Sequence, residues 1–238
     1  MPVRPVTNVA LLEALPTIER RTLGDAAYAQ LRELLMSGRV GPGERLSIRK
    51  LALAFGVSMM PVREAVTRLV ADRALEVAPN RAVRVPVMTT AQFRELALIR
   101  IEIEGFAVER AAHARTDASL RHIALAEQAF RLEAAKKRPD RSRAVALNKN
   151  FHFSIYDASG LPALVEIIGG LWLKIGPIIN LDLRENADRL AGGGAVRFHA
   201  EALAAIERGD GAAARAAIAA DISGAAQFIL SKGGLVEA

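Results

Sequence analysis

The segment from Ser47 to Val70 constrains the fold most, because its pattern is that of two short amphipathic helices joined by a tight turn. Ser47 is a good N-cap for a helix that ends near Ala54, and Gly56-Val57 then turns the chain. Ser58 can cap the next helix by accepting a hydrogen bond from a first-turn amide. That helix carries an apolar stripe with the spacing i, i+3, i+4, i+7 and i+8, formed by Val62, Ala65, Val66, Leu69 and Val70. The pattern predicts a helix-turn-helix.

The residues that flank this segment complete a winged arrangement. Upstream, apolar positions from Leu23 to Ser37 keep helical spacing, and Gly38 stands where a C-terminal stop is expected. Downstream, the stretch LEVAPNRAVRV alternates apolar residues around a Pro79-Asn80-Arg81 turn, which predicts a short two-stranded hairpin. Three helices and a hairpin make a winged helix-turn-helix domain, which we place at residues 23–86, after a loose N-terminal arm at residues 1–22.

The rest of the chain has helical spacing without strand-like alternation, after a linker at residues 87–90. Short breaks divide it into the stretches Ala91–Arg115, Ala118–Lys136, Ser142–Ala158, Pro162–Asn180, Asp182–Leu190, Val196–Arg208 and Gly211–Ser231. Helices joined by such short loops predict an antiparallel bundle of six or seven helices over residues 91–238. The expected fold class is therefore mainly α, with a winged helix-turn-helix domain followed by a helical bundle.

The positive charge of the chain is concentrated in its first third. Residues 1–86 hold 13 Lys and Arg against 8 Asp and Glu, a net charge of +5. Residues 87–238 hold 19 against 18, a net charge of +1. The asymmetry favours an anionic partner for the N-terminal domain alone, although a mild basic excess is also common among proteins that bind no nucleic acid.

Composition also restricts the class of protein. The chain contains no cysteine, which excludes a disulfide framework and thiolate metal sites and suits a reducing cytoplasm. The most apolar internal run, Leu161 to Leu181, is interrupted by Glu166, Lys174 and Pro177. We therefore expect a buried bundle helix there rather than a membrane span, and a cytoplasmic protein without a membrane partner.

The motifs in both parts resemble those of one family. PGERLS, LALAFGVS, PVREA and the following RL occur in the order and spacing of the DNA-binding domain of the GntR family. Arg100-x-x-x-Glu104, NKNFHFSIYDASG and HAEALAAIERGD resemble the all-helical, FCD-type ligand-binding domain of that family's FadR-like branch. The resemblance covers about residues 24–230 and implies a homodimeric, ligand-responsive transcriptional regulator, usually a repressor, that binds a palindromic double-stranded operator.

Several residues are candidates for DNA contact, because a helix in the major groove must offer donors to base edges and cations to phosphates. Arg63 points away from the apolar stripe and is the best candidate for base reading. Arg49 can reach a phosphate or the groove edge, Ser58 can bind a phosphate, and Arg81 can enter the minor groove. These positions match DNA-contacting positions of the family. Most relatives carry arginine at the place of Met59 and often a small polar residue at that of Met60.

The two methionines leave two interpretations open. Met59 and Met60 can contact DNA through apolar groups such as thymine methyls, or they can pack against the protein, because methionine readily fills gaps. Loss of an arginine at Met59 should alter the preferred operator rather than abolish binding. A glycine usual in the wing of the family is replaced by Ala82.

A second candidate site lies in the helical part. Asn148 and His152 are spaced i, i+4 on one helix face, while His199 and Asp221 belong to two further helices. The four positions match the metal-binding pattern of the family, usually one aspartate and three histidines, so the resemblance implies a divalent ion such as Zn²⁺, Ni²⁺ or Mn²⁺. A buried, hydrogen-bonded histidine without metal is the alternative. His113 and His122 lack such partners, and we expect both at the surface.

The resemblance also implies an effector, which we expect to be a small carboxylate. Arg100 is a frequent polar lining residue of the family's pocket, but an i, i+4 salt bridge with Glu104 explains it equally well. Two other functions compete with regulation. A metal-dependent enzyme acting on a small carboxylate lacks any evident nucleophile or acid–base pair. The weaker alternative is an interaction protein in which the altered first turn of the helix at Met59 and Met60 no longer binds DNA.

Overall fold

The computed structural model describes residues 22–78, 82–185, 190, 194–233 and 235–237. The N-terminal domain contains three helices, α1 (Leu23–Met36), α2 (Ile48–Phe55) and α3 (Met59–Ala71), and three strands, β1 (Arg45–Leu46), β2 (Glu76–Val77) and β3 (Val83–Arg84). The helical domain contains α4 (Thr90–Ala114), α5 (Asp117–Ala134), α6 (Arg141–Ala158), α7 (Pro162–Glu185), α8 (Gly194–Arg208) and α9 (Gly211–Lys232). The mainly α fold class is confirmed.

The wing differs from the predicted two-stranded hairpin, because it is a three-stranded sheet in the order β1-β3-β2. Arg45 pairs with Arg84 and Leu46 with Val83, both antiparallel, so a third strand joins the two predicted ones. The amide of Val85 donates to the carbonyl of Glu44 at 3.0 Å, which extends this pairing. The predicted turn at residues 79–81, which includes Arg81, lies outside the described residues.

The helix-turn-helix itself is confirmed, with one correction. Ser47 caps α2 by accepting a hydrogen bond from the amide of Lys50, and Gly56 ends that helix in a left-handed conformation with φ of 66°. Ser58 occupies the N-cap position of α3 but makes no side-chain capping hydrogen bond, so its predicted capping role is wrong. The predicted core stripe is buried from Val62 to Leu69, and Val70 is half-buried.

The helical bundle follows the prediction except at α7. The predicted break after Asn180 is wrong, because α7 continues through Pro177 to Glu185. Proline removes one backbone donor from a helix, but buried Ile175, Ile178 and Ile179 hold both sides of Pro177 in the same packing. Part of the predicted Asp182–Leu190 helix lies outside the described residues.

Among the residues that the structure describes, two helices have the length and composition of a membrane span, over Pro162–Asn180 and Gly211–Lys232. Both pack inside the bundle, with α7 against α6 and α9 against α4 and α8. More than half of the first segment is buried within the fold. This packing is that of core helices in a bundle.

Candidate DNA interface and metal centre

The outer face of α3 presents the residues predicted to contact DNA. Met59 and Met60 are 47% and 63% exposed, and Arg63 is also exposed. This exposure favours DNA contact by the two methionines over packing against their own protein. Arg49 and Ser58 are exposed as well. The helix thus offers one cation and two flexible apolar side chains to a groove.

Arg68, on the same helix, has a structural role. Its Nη1 lies 2.7 Å from Oδ1 of Asp25, and its guanidinium stacks on the Tyr28 ring at 3.9 Å from the centroid. The hydrogen bond from Arg68 lowers the pKa of the Asp25 carboxyl. These contacts hold α3 against α1, so Arg68 is not available to read bases.

Three predicted metal ligands converge between α6, α8 and α9. Nε2 of His152 and Nε2 of His199 lie 3.3 Å and 3.8 Å from Oδ2 of Asp221. One ligand atom from each of the three residues lies within 4.8 Å of those of the other two. Asn148 is buried one helical turn before His152. The spacing suits two imidazoles and one carboxylate around a single ion.

The chemistry of these groups also fits a metal. His199 is fully buried, and neither of its ring nitrogens has a hydrogen-bond partner among the described residues. Burial lowers the pKa of His199, which keeps the imidazole neutral as a ligand must be. Burial would raise the pKa of the Asp221 carboxyl, but the two imidazoles outweigh it and hold that pKa well below its usual range. The set therefore offers the neutral imidazole of His199, the imidazole of His152 and the carboxylate of Asp221.

Neighbouring aromatic and polar groups fix the orientation of the two imidazoles. The ring of Phe151 stacks on His199 with centroids 4.1 Å apart. Nδ1 of His152 lies 3.1 Å from the Tyr156 hydroxyl, which leaves Nε2 directed to the Asp221 carboxylate. Such outer contacts commonly set which nitrogen of a histidine binds a metal.

The hydrogen bonds continue from His152 to a buried ion pair on α4. The Tyr156 hydroxyl donates to Glu104, which also accepts from Nε of Arg100 at 2.5 Å. Arg100 and Glu104 are 4% and 0% exposed. Burial, followed by the charge of Glu104, raises the pKa of the Tyr156 phenol well above its usual value. In the structure, Arg100 therefore forms the i, i+4 salt bridge with Glu104.

Helix α7 joins this site to the N-terminal domain. The Trp172 ring lies 5.3 Å from that of His152, centroid to centroid. One turn later, a Cβ atom on Gly176 would stand 3.0 Å from Cα of Met36, so glycine favours this close approach of α7 to α1. The Asn180 amide donates to the Met36 carbonyl. Helix α7 therefore contacts both the histidine cluster and α1 of the N-terminal domain.

Comparison with known families identifies both domains. Residues 23–85 match the family of bacterial regulatory proteins called gntR, and residues 95–224 match the FCD domain. The chain belongs to the GntR family. Each match lies within the corresponding predicted domain.

Individual GntR-family relatives agree with this assignment. The HTH-type transcriptional regulator McbR of Escherichia coli strain K12 is 38% identical over 147 residues, which cover 62% of this chain and 66% of McbR. The HTH-type regulator YdhC of Bacillus subtilis strain 168 is 30% identical over 136 residues, covering 56% of this chain and 58% of YdhC. Each alignment spans less than two thirds of the relative. Both relatives are regulators, which weighs against the enzyme hypothesis.

Solved structures of the GntR family share the whole fold. The E. coli McbR/YncC structure superposes with a TM-score of 0.83 at 29% identity, covering 90% of this chain and 100% of that one. A transcriptional regulator from Rhodococcus sp. RHA1 has a TM-score of 0.72 at 24% identity, covering 87% and 97% of the two chains. The second likeness is evidence of fold alone.

Two residues near the centre were not among the sequence-predicted set. Tyr156 lies four residues after His152, so the helical period that links Asn148 to His152 extends to it. Trp172 gives no such signal, because its proximity to His152 arises only from the packing of α7 on α6. His113 and His122 are exposed, as predicted.

Proposed function

We propose that this GntR-family protein is a ligand-responsive transcriptional regulator, acting as a repressor in the cytoplasm and binding a palindromic operator as a homodimer. The observation that carries the proposal is the match to both the gntR and FCD families in one chain, with Arg63 exposed on α3. A positively charged N-terminal domain beside a nearly neutral helical domain suits this division of roles.

DNA reading rests on a small set of side chains. Arg63 would donate to a base edge in the major groove, and Arg49 and Ser58 would bind phosphates. Met59 and Met60 would make apolar contacts where relatives use polar ones. We also assign Arg81 to the minor groove on the family resemblance. The preferred operator should therefore differ from that of relatives with arginine at the place of Met59.

The helical domain would bind a divalent ion and a small carboxylate effector. His152, His199 and Asp221 would hold Zn²⁺, Ni²⁺ or Mn²⁺, with Asn148 as a weak fourth ligand. The ion would supply positive charge for the effector's carboxylate. The Trp172 indole N–H is buried without a hydrogen-bond partner among the described residues and could donate to the effector. Arg100 lines the same region but is already paired with Glu104.

Coupling between the two sites would run through α7. The effector would change the packing around His152 and Trp172, and α7 would carry that change to Met36 through Gly176 and Asn180. An effector alters operator affinity only to the extent that its affinity differs between the two arrangements.

The DNA-binding part is tested with Arg63→Ala. A duplex selected from a random library on the wild-type protein is labelled, and its affinity is measured by fluorescence anisotropy at fixed salt. We expect Arg63→Ala to weaken binding by about 1–3 kcal/mol. Arg121→Ala, which removes an exposed arginine from α5, should have no effect. Equal affinity of wild type and Arg63→Ala would contradict the proposal.

The metal part is tested separately. After treatment with EDTA, Zn²⁺, Ni²⁺ and Mn²⁺ are added singly, and bound metal and the melting temperature are measured. We expect one or more ions to bind with a stoichiometry near one and to raise the melting temperature. Asp221→Asn should abolish both effects, whereas Asp157→Asn, an exposed site on α6, should retain them. If no ion binds, the metal proposal is contradicted, and the DNA-binding proposal is unaffected.

A further inference from the structure

A cavity lies where the N-terminal domain meets the helical domain. Its volume is about 370 Å³, and its walls are α1, the end of α3 and the first half of α7. Tyr28 and Arg32 line it from α1, Arg73 from the residues after α3, and Lys174 from α7. The cavity shares no residue with the cluster of His152, His199 and Asp221. It is therefore a separate place for a ligand.

Arg32 contributes an unpaired donor to this cavity. Its Nε is buried and has no hydrogen-bond partner among the residues that the structure describes. Its Nη2 reaches across to α7, where a Cβ atom on Gly169 would stand 3.0 Å from it. A buried guanidinium donor without an acceptor is unfavourable, and an anionic ligand would satisfy it.

Arg73 adds a cation at a position that normally favours glycine. It follows the C-cap of α3 with φ of 57°, the only positive φ of a non-glycine residue in the described ranges. Glycine adopts this conformation without strain, whereas arginine does not. Strained backbone conformations of this kind cluster at active and ligand-binding sites.

The charges around the cavity favour an oxyanion. Arg32, Arg73 and Lys174 provide three positive charges, and the described residues form no salt bridge with any of them. Of the two carboxylates in the lining, Asp72 accepts a hydrogen bond from the Tyr28 hydroxyl at 2.7 Å. Glu166 remains to accept a hydrogen bond from a protonated or hydroxyl group of the ligand.

We propose that this cleft binds a small multivalent oxyanion, a phosphate or a di- or tricarboxylate, between the DNA-binding and helical domains. Its charged groups contact Arg32, Arg73 and Lys174. One ligand would then contact both α7 and the residues at the end of α3, the helix that presents Arg63. Binding therefore stabilises the arrangement in which these two elements are close.

The test uses thermal unfolding of the full chain after metal removal, in phosphate or citrate and in sodium chloride of equal ionic strength. At about five times the dissociation constant, the oxyanion should raise the melting temperature by roughly 2–4 °C over chloride. Arg73→Gly removes the cation and the backbone strain together, so it should unfold no earlier than wild type in chloride and yet lose the oxyanion shift. Lys174→Gln should lose the shift as well.

Two controls keep the result specific to the cleft. Arg63→Ala should retain the shift, which would show that the oxyanion does not act at the DNA-reading face, and Arg121→Ala should retain it too. The proposal is overturned if neither phosphate nor citrate exceeds chloride, or if the shift persists in Arg73→Gly and Lys174→Gln. No DNA enters the experiment, so its outcome is independent of the regulatory function.

Discussion

The two domains place their functional side chains in opposite environments. On the N-terminal domain, Met59, Met60 and Arg63 project from α3 into solvent, and the residues beneath them form an apolar stripe. In the helical domain, the charged and polar groups of the candidate site lie inside, where Arg100 and Glu104 are 4% and 0% exposed. One domain would therefore read a partner from its surface, and the other would enclose its ligand.

Because of this difference, substitutions at the candidate site of the N-terminal domain should affect DNA binding without affecting stability. Substitutions at the site of the helical domain should affect both ligand binding and stability. Exposed substitutions on α3 should change DNA binding while leaving the free energy of unfolding nearly unchanged. Buried substitutions in the network from Arg100 to His152 should lower the free energy of unfolding as well as affect ligand binding, because an unpaired buried charge is costly. The predictions below test this contrast, beginning with the largest effect.

Glu104→Gln should cause the largest loss of stability. It leaves the buried Arg100 guanidinium without a counter-charge, which should lower the free energy of unfolding by about 3–5 kcal/mol. The matched control is Glu102→Gln on the same helix, because Glu102 is 69% exposed and pairs with the partly exposed Arg215. That exposed pair should contribute only ~0–1 kcal/mol. Urea titrations of the three proteins measure both values, and equal losses would contradict the contrast.

Met59→Arg should change which DNA is bound without changing stability. A guanidinium at this exposed position can pair with guanine, which should shift base preference by about 1–3 kcal/mol at one operator position. Leu53→Arg, at an exposed site on α2, adds the same charge outside the recognition helix. It should raise affinity for all sequences alike. Selection from a random duplex library compares the preferences, and identical preferences in wild type and Met59→Arg would remove Met59 from the reading face.

Elements marked by a regular repeat of apolar residues can be predicted from the sequence. Features that arise only from contacts between distant elements cannot. The stripe from Val62 to Leu69 repeats at helical spacing, so the recognition helix could be predicted from its own residues. Strand β1 has only two residues, which are too few to show the alternation of a strand in the sequence. It becomes a strand only by pairing with β3. Similarly, His152 and His199 were candidates through the family resemblance, whereas Trp172 joins them only because α7 packs on α6.

Glu133 should make the helical domain sensitive to acid to a smaller extent. Its carboxylate accepts hydrogen bonds from Nζ of Lys136 at 2.6 Å and from the Asp140 amide at 2.8 Å, which tie α5 to the start of α6. These bonds, led by that of Lys136, lower its pKa below the ordinary 4.5. A lowered folded-state pKa stabilises the fold above the unfolded value, and this contribution is lost as pH falls through the folded value.

Glu133→Gln should therefore reduce the free energy of unfolding near neutral pH and have progressively less effect as pH falls below the ordinary carboxyl pKa. Urea titrations across that range measure the difference between variant and wild type. Glu201→Gln is the control, because Glu201 is 54% exposed and lies 3.7 Å from Nε of Arg197. It should show little effect at any pH. A loss for Glu133→Gln that does not shrink in acid would contradict the role of the carboxylate.

The smallest effects come from two serines at N-cap positions of the same domain. Ser47 caps α2 through the Lys50 amide at 3.3 Å, so Ser47→Ala should lower the free energy of unfolding by about 1 kcal/mol. Ser58 makes no capping hydrogen bond, and Ser58→Ala should change that free energy by less than ~0.5 kcal/mol. If the Ser58 hydroxyl instead serves a DNA phosphate, Ser58→Ala should weaken DNA binding while Ser47→Ala does not. Equal stability losses for the two variants would return Ser58 to a capping role.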